Sequence, residues 1–101
     1  MARRTGLIWT APALDDLDHI ASWIALENER AASELVRRVL DAVERLARFP
    51  ASGRRVPEAP STPDRDVIVP PCRVLYRRAG RRILIVHVVR SERLLRPRRL
   101  R

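Results

Sequence analysis

The chain has 101 residues, 46% of them apolar, and a formal net charge of +9 at pH 7. This length predicts one domain over residues 1–101, and no apolar run approaches the ~20 residues that a membrane-spanning helix needs. All 21 basic residues are Arg, and a single cysteine, Cys72, excludes an internal disulfide. Because guanidinium groups pair bidentately with phosphates and carboxylates, this charge predicts an acidic partner, either nucleic acid or protein.

The first predicted elements are a short strand at Gly6–Thr10 and two helices. Thr10 is placed to cap the first helix, in which apolar residues recur at spacings of three and four to about Leu26. A polar break contains Asn28, which can stop one helix or cap the next. The second helix is predicted from about Ala31 to Arg48, with a broad apolar stripe. Because the link is so short, the two helices are predicted to pack as an antiparallel hairpin.

The segment after the second helix, residues 50–63, contains four prolines and is predicted to be a loop with little regular structure. A strand is then predicted at Val67–Val69, and Pro70-Pro71 predicts a bulge or bend after it. The last element is a predicted β-hairpin, in which strands at 72–78 and 81–89 flank a turn at Ala79-Gly80.

The register of this hairpin decides which side chains face the core. With Ala79-Gly80 as the turn, Tyr76 faces Ile83 and, since side chains alternate, one face of the hairpin is apolar. That face holds Cys72, Val74, Tyr76, Ile83, Ile85, His87 and Val89. The other face holds Arg73, Leu75, Arg77, Arg82, Leu84, Val86, Val88 and Arg90. A slip of one residue would exchange the faces of one strand, and a type I turn with Gly80 in a bulge is an alternative.

The order of elements is strand, helix, helix, strand, strand, strand, which predicts an α+β fold. In this fold the antiparallel helical hairpin packs on one face of a mostly antiparallel sheet, which the N-terminal strand and three C-terminal strands form. The opposite face, which carries the arginines, is predicted to be open. A basic flexible tail is predicted at about residues 95–101.

Arg73 and Arg90 are the first candidates for a binding site, as an anion clamp for a phosphate backbone or an acidic peptide. The alternative is that each pairs with a local carboxylate, such as Asp64, Asp66 or Glu92. Four more arginines flank the turn, and solubilising edge charges are the favoured interpretation for them. These are Arg77, Arg78, Arg81 and Arg82.

No metal or cofactor is predicted. His87 is expected to be a satisfied core histidine and His19 an exposed one, and neither has ligand partners at metal-binding spacing. Cys72 is expected to be a buried, inert thiol. The sequence contains no Gly-rich phosphate loop and no nucleophile motif.

Four local patterns follow one another along the chain. They are Trp9-Thr10-Ala11-Pro12-Ala13 with Asp15-Asp16-Leu17, Phe49-Pro50 with Ser52-Gly53-Arg54, Arg73-Val74-Leu75-Tyr76, and Ile83 to Arg93. In this order and spacing, from about Leu7 to Leu95, they resemble the RelE/ParE superfamily of type II toxin–antitoxin toxins. The resemblance implies a cytoplasmic α+β toxin in a hetero-oligomer with a small acidic antitoxin, ParD-like or similar, that wraps it.

The superfamily divides by target. RelE-like members cut messenger RNA in the ribosome, and the resemblance places their basic residues at Arg73 and at Arg90 or Arg93. This chain has no Lys in the loop, only Arg54 and Arg55, and no Tyr in its tail. Arginine is poorly suited to proton transfer near neutral pH. ParE-like members poison DNA gyrase without catalytic residues of their own.

The Trp-Thr-Ala-Pro and Phe-Pro-x-Ser-Gly-Arg patterns favour the ParE-like branch, although the last strand ends in Arg90-Ser91-Glu92-Arg93 rather than the family's His-Gly-Arg-Arg-like sequence. The expected function is therefore gyrase inhibition. The alternatives are a ribosome-dependent endoribonuclease and a non-toxic antitoxin-binding module. Residues expected to contact target or antitoxin are Arg54, Arg73, Arg77, Arg82, Arg90 and Arg93.

Overall fold

Residues 6–90, which the computed structural model describes, form two helices and five strands. The helices are α1 (Ala11–Ala25) and α2 (Glu29–Arg48), and the strands are β1 (Gly6–Trp9), β2 (Arg54–Arg55), β3 (Arg65–Val69), β4 (Cys72–Ala79) and β5 (Arg82–Arg90). The predicted α+β architecture is confirmed. The short strand β2 was not predicted, because the four prolines around it concealed it.

The five strands form a single sheet in the order β1-β5-β4-β3-β2. β1 pairs in parallel with β5, and the remaining pairs are antiparallel, so the sheet is mostly antiparallel as predicted. β1 reaches only the first half of β5, from Arg82 to Ile85. The second half of β5 therefore extends past β1, where α1 lies beside it.

Both helices begin at the capping residues that the sequence predicted. The Thr10 hydroxyl accepts the Ala13 N–H at 3.3 Å and donates to the Ile85 carbonyl at 2.7 Å. The Asn28 side chain accepts the Ala31 N–H at 3.0 Å, so α2 begins two residues before its predicted start. An uncapped helix end leaves backbone N–H groups without partners. Thr10 therefore fixes the start of α1 and ties it to β5.

The core lies between the helical hairpin and one face of the sheet. It is built from the apolar stripes of both helices and from alternate residues of β3, β4 and β5. Its buried members are Ala13, Leu17, Leu35, Val39, Ala42, Val43, Leu46, Val69, Cys72, Val74, Tyr76, Ile83, Ile85 and Val88. Cys72 is buried, as predicted.

The turn of the β4–β5 hairpin lies one residue later than predicted. Ala79 pairs with Arg82, so the two-residue loop is Gly80-Arg81. Gly80 has a φ of 61°. A two-residue hairpin loop requires a left-handed residue at its first position, and glycine adopts it without strain. The predicted turn at Ala79-Gly80 was wrong because it placed alanine at that position.

A bulge in β5 then reverses the alternation of its side chains. Tyr76 pairs with Ile85 but Leu75 pairs with His87, which leaves Val86 as the extra residue. Val88 therefore faces the core and is 2% exposed, whereas the His87 side chain is 52% exposed. The predicted core positions of His87 and Val89 were wrong, and so was the predicted open position of Val88.

The sheet face opposite the helices is called the far face here, and half of it is covered. Pro70-Pro71 makes the short connection from β3 to β4, and residues 50–64 fold against β3 and β4. Buried residues outside the main core include Val56, Asp66, Arg73 and Leu75. The prediction of a fully open arginine face was therefore wrong.

Candidate functional site

Arg73 lies at the centre of a cluster of charged side chains on the far face. Its side chain is 5% exposed. Its Nη1 donates to Glu58 Oε2 at 2.6 Å and its Nη2 donates to Asp66 Oδ2 at 2.6 Å. Its Nε also donates to Asp66 Oδ2, at 3.0 Å. Arg73 thus pairs with the local carboxylate of Asp66, which was the alternative to an exposed anion clamp. Glu58 is a second partner that the sequence did not indicate.

Hydrogen bonds to Glu58 raise the pKa of Arg73 above its ordinary value, and those to Asp66 act in the same direction against the opposing effect of burial. Arg73 therefore stays charged at every physiological pH. A buried charge is tolerated only when partners compensate for its lost hydration. Both carboxylates are needed for this purpose, so they hold Arg73 in place.

Arg54 joins the same cluster from β2. Its Nε donates to Asp66 Oδ1 at 2.8 Å and its Nη2 donates to Asp66 Oδ2 at 3.4 Å. The Asp66 side chain is fully buried, whereas that of Arg54 is 53% exposed. Asp66 thus bridges two arginines, and the cluster fastens the segment after α2 to the sheet.

Tyr76 fastens the same segment at a second point. Its hydroxyl accepts the Gly53 N–H at 2.9 Å and donates to the Pro50 carbonyl at 2.9 Å. A side chain at Gly53 has no room, because a Cβ there would lie 2.5 Å from the Tyr76 hydroxyl. Burial raises the pKa of Tyr76 above its ordinary value. The prediction that Tyr76 packs in the core is confirmed, and its hydrogen bonds explain the Ser52-Gly53 pattern.

Asp16 and His87 form a pair where α1 passes the second half of β5. Asp16 Oδ2 accepts the Val88 N–H at 3.0 Å and lies 2.9 Å from His87 Nδ1. A carboxylate only accepts hydrogen bonds when it is ionised, so Nδ1 carries the proton in this contact. Nε2 is then the ring nitrogen left for other partners. No local sequence pattern indicated this pair, because the two residues are 71 positions apart in the chain.

A third group of charges lies at the hairpin tip, defined here as residues 77–82. Arg77 pairs with Asp64, its Nε donating to Oδ1 at 2.6 Å, and its side chain is 46% exposed. This contact raises the pKa of Arg77. Arg78, Arg81 and Arg82 are exposed, and none of them has an ion-pair partner within residues 6–90.

The six arginines expected at the site do not converge. Arg54 and Arg73 are in the buried cluster, Arg77 and Arg82 are at the hairpin tip, and Arg90 is at the other end of β5. At ~3.3 Å per residue, the two ends of that strand are separated by roughly 26 Å. Arg93 lies outside the described residues. No single anion could therefore contact all of them.

Within residues 6–90, no three His, Cys, Asp or Glu side chains are grouped so as to hold a metal ion. In that same part of the chain, neither helix combines the length and the apolar character needed to cross a membrane. The chemistry that the described side chains offer is anion contact through exposed guanidinium groups, and proton transfer at His87.

The fold is similar to that of a solved structure titled "Chromosomal ParDE TA system from P. aeruginosa", with a TM-score of 0.69 and 25% sequence identity. The superposition covers 88% of this chain and 98% of that one. The fold thus defines a small α+β protein of the toxin–antitoxin class. Residues 7–95 match the model of the family described as "ParE toxin of type II toxin-antitoxin system, parDE". The chain belongs to this family, which confirms the ParE-like branch.

A curated relative is "Putative toxin Y4kP" of Sinorhizobium fredii (strain NBRC 101917 / NGR234), which is 43% identical over 51 residues. The match covers 50% of this chain and 53% of that protein. The chain therefore spans about half the length of the curated relative that it matches.

Proposed function

We propose that this ParE-family toxin acts in the cytoplasm by binding DNA gyrase and trapping its cleaved-DNA state, and that an acidic antitoxin neutralises it. The family match over residues 7–95 supports the role of toxin. The net charge of +9 supports an acidic partner, because complementary charge steers association.

The observation that carries the choice of gyrase over messenger RNA is the state of Arg73. A ribonuclease of the RelE type would need this strand arginine to face the scissile phosphate. Here carboxylate oxygens of Glu58 and Asp66 each lie 2.6 Å from a guanidinium nitrogen of Arg73, and the Arg73 side chain is 5% exposed. Turning Arg73 towards a substrate would leave a fully buried Asp66 carboxylate without this partner, at a large cost in free energy. This arrangement favours action by binding.

The direct test adds the purified chain, freed of antitoxin, to a gyrase supercoiling reaction at matched salt. We expect loss of supercoiling and accumulation of cleaved DNA, and restoration of supercoiling when the cognate antitoxin is added first. Supercoiling that continues unchanged at a large molar excess of folded toxin would contradict the proposal. If expression without the antitoxin also fails to arrest growth, the chain acts only as an antitoxin-binding module.

A ribosome-dependent ribonuclease is the second candidate, and the pairing of Asp16 with His87 favours it. An imidazole whose Nδ1 is held by a carboxylate can transfer protons through Nε2, which arginine cannot do near neutral pH. Replacing His87 by Gln removes the imidazole but keeps a side chain able to donate a hydrogen bond to Asp16.

We expect H87Q to arrest growth as strongly as the unmodified toxin, because gyrase binding needs no proton transfer. The measurement is growth after induction without antitoxin, with circular dichroism to verify the fold. H19Q, the same change at an exposed histidine outside this pair, serves as the matched control. Loss of toxicity in a folded H87Q protein, together with cuts mapped in translating messages, would favour the ribonuclease.

A further inference from the structure

We propose that the hairpin tip is a binding site for the phosphodiester backbone of nucleic acid, with Arg78, Arg81 and Arg82 as the phosphate ligands. This inference goes beyond gyrase inhibition, because the contact is with nucleic acid itself and requires no gyrase. It follows from the distribution of carboxylates around the hairpin.

The hairpin has no negative charge of its own. From Val67 to Ser91 the sequence contains six arginines and neither Asp nor Glu. Two of these arginines obtain carboxylates from elsewhere in the chain: Arg73 from Glu58 and Asp66, and Arg77 from Asp64. Arg78, Arg81 and Arg82 have no such ion pair with residues 6–90.

The hairpin places these three residues at one end of the sheet, with Arg78 and Arg82 on opposite faces because they belong to successive cross-strand pairs. Arg82 pairs across the strands with Ala79, and Arg81 is the second residue of the two-residue loop. Three positive charges so near one another in the chain raise the local positive potential, which in solution attracts counter-anions. A row of phosphates would supply that negative charge in fixed positions, releasing the nucleic acid's own counterions.

The surroundings of the tip favour nucleic acid over an acidic protein. Protein interfaces are centred on buried apolar or aromatic anchors, with charges at the rim. The exposed large apolar residues of the described chain all lie outside residues 77–82, and they are Ile8, Leu14, Trp23, Leu26, Leu40, Phe49 and Ile68. A Cβ built on Gly80 would meet nothing within 4 Å, so the loop is open to an approaching backbone. A two-stranded ribbon also fits the major groove of a duplex.

The exposed face of α2 offers a matched control. Arg30, Arg37 and Arg45 are as exposed as the tip arginines, and they also lack an ion pair within residues 6–90. In contrast to the tip, their neighbours at i±4 include Glu34 and Asp41, which lower the local positive potential. Removing either set of three changes the net charge equally.

The experiment measures binding of the antitoxin-free chain to a labelled duplex of arbitrary sequence by fluorescence anisotropy over a series of salt concentrations. Each phosphate contact contributes ~0.9 to the slope of log K against log salt. We expect R78A/R81A/R82A to reduce the magnitude of this slope by about 2–3, and R30A/R37A/R45A to reduce it by less than about 1. Circular dichroism and urea unfolding verify that both variants fold.

Equal losses in the two variants would overturn the proposal, since net charge alone would then explain the binding. An unchanged slope in R78A/R81A/R82A would also overturn it. If that variant instead loses antitoxin binding while its DNA binding is unchanged, the tip is a contact for an acidic protein. Because no gyrase is present, these outcomes are independent of whether the toxin inhibits gyrase.

Discussion

At the scale of the residue, the side chain with the greatest structural consequence is Arg73. It is a charged group buried on the far face, and Glu58 and Asp66 surround its guanidinium. The sequence could identify Arg73 as special but could not decide between an exposed clamp and a buried ion pair. That choice depends on where Glu58 lies, 15 residues away in a segment rich in proline.

Replacing Arg73 by Ala is expected to destabilise the fold by about 3–5 kcal/mol, because it leaves two carboxylates facing each other without their shared partner. The measurement is urea unfolding followed by circular dichroism. Arg82→Ala removes the same charge from an exposed position, and we expect it to change the free energy of unfolding by no more than about 0.5 kcal/mol. Similar values for the two variants would show that the cluster contributes little.

A second prediction at the scale of the residue concerns Gly53, whose backbone N–H donates to the Tyr76 hydroxyl. A Cβ there would lie 2.5 Å from the Tyr76 hydroxyl and 2.7 Å from the Asp66 carbonyl oxygen. We expect Gly53→Ala to destabilise the fold by about 1–3 kcal/mol through this overlap. In Gly6→Ala, by contrast, the nearest atoms would lie 3.9 Å away, so that variant should unfold at nearly the same urea concentration as the original chain.

At the scale of the element, the helices and the existence of the C-terminal hairpin could be predicted from local sequence, but the register of the hairpin could not. Thr10 and Asn28 cap the helices through neighbours three residues away, which the sequence makes visible. The register of β5 depends on the turn at Gly80 and on the bulge at Val86. The bulge is an irregularity in the pairing of β4 with β5 that the sequence pattern did not indicate, so His87 and Val88 were assigned to the wrong faces.

The segment from Pro50 to Asp64 is predicted to loosen at alkaline pH, because the Tyr76 hydroxyl can donate to the Pro50 carbonyl only while the phenol is neutral. Burial raises the pKa of Tyr76 above 10.0 in the folded chain, so the unfolded chain loses this proton first. Stability from this group is therefore complete below about pH 10 and falls as pH rises through the folded pKa.

Tyr76 is the only tyrosine of the chain, so tyrosinate absorbance reports this one group. We expect its titration midpoint to lie above that of the urea-unfolded chain. We also expect the free energy of unfolding to decline above about pH 10. Tyr76→Phe should be less stable by about 1–3 kcal/mol near neutral pH, where its two hydrogen bonds are lost, and should lack the phenol's part of that decline. Coincident titration curves for folded and unfolded chains would contradict this prediction.

At the scale of the whole molecule, two sets of arginines differ in whether carboxylates of the same chain neutralise them. Arg54, Arg73 and Arg77 are paired with carboxylates, whereas Arg78, Arg81 and Arg82 at the hairpin tip are exposed and have no ion pair within residues 6–90. Composition predicted the acidic partner, but only the tertiary pairing separates the arginines that stabilise the fold from those able to meet another molecule.

The contact of α1 with β5 bears on whether this sheet can join that of another copy. Beyond Ile85, the edge of β5 opposite β4 is not covered by a strand within residues 6–90, and such an edge is a template for strand addition and aggregation. Thr10 donates to the carbonyls of Ile85 and Val86, and Asp16 accepts the Val88 N–H. The first helix thus occupies the hydrogen-bonding groups that an incoming strand would need, and places a carboxylate in its path. We therefore expect these two side chains to oppose strand addition along this edge.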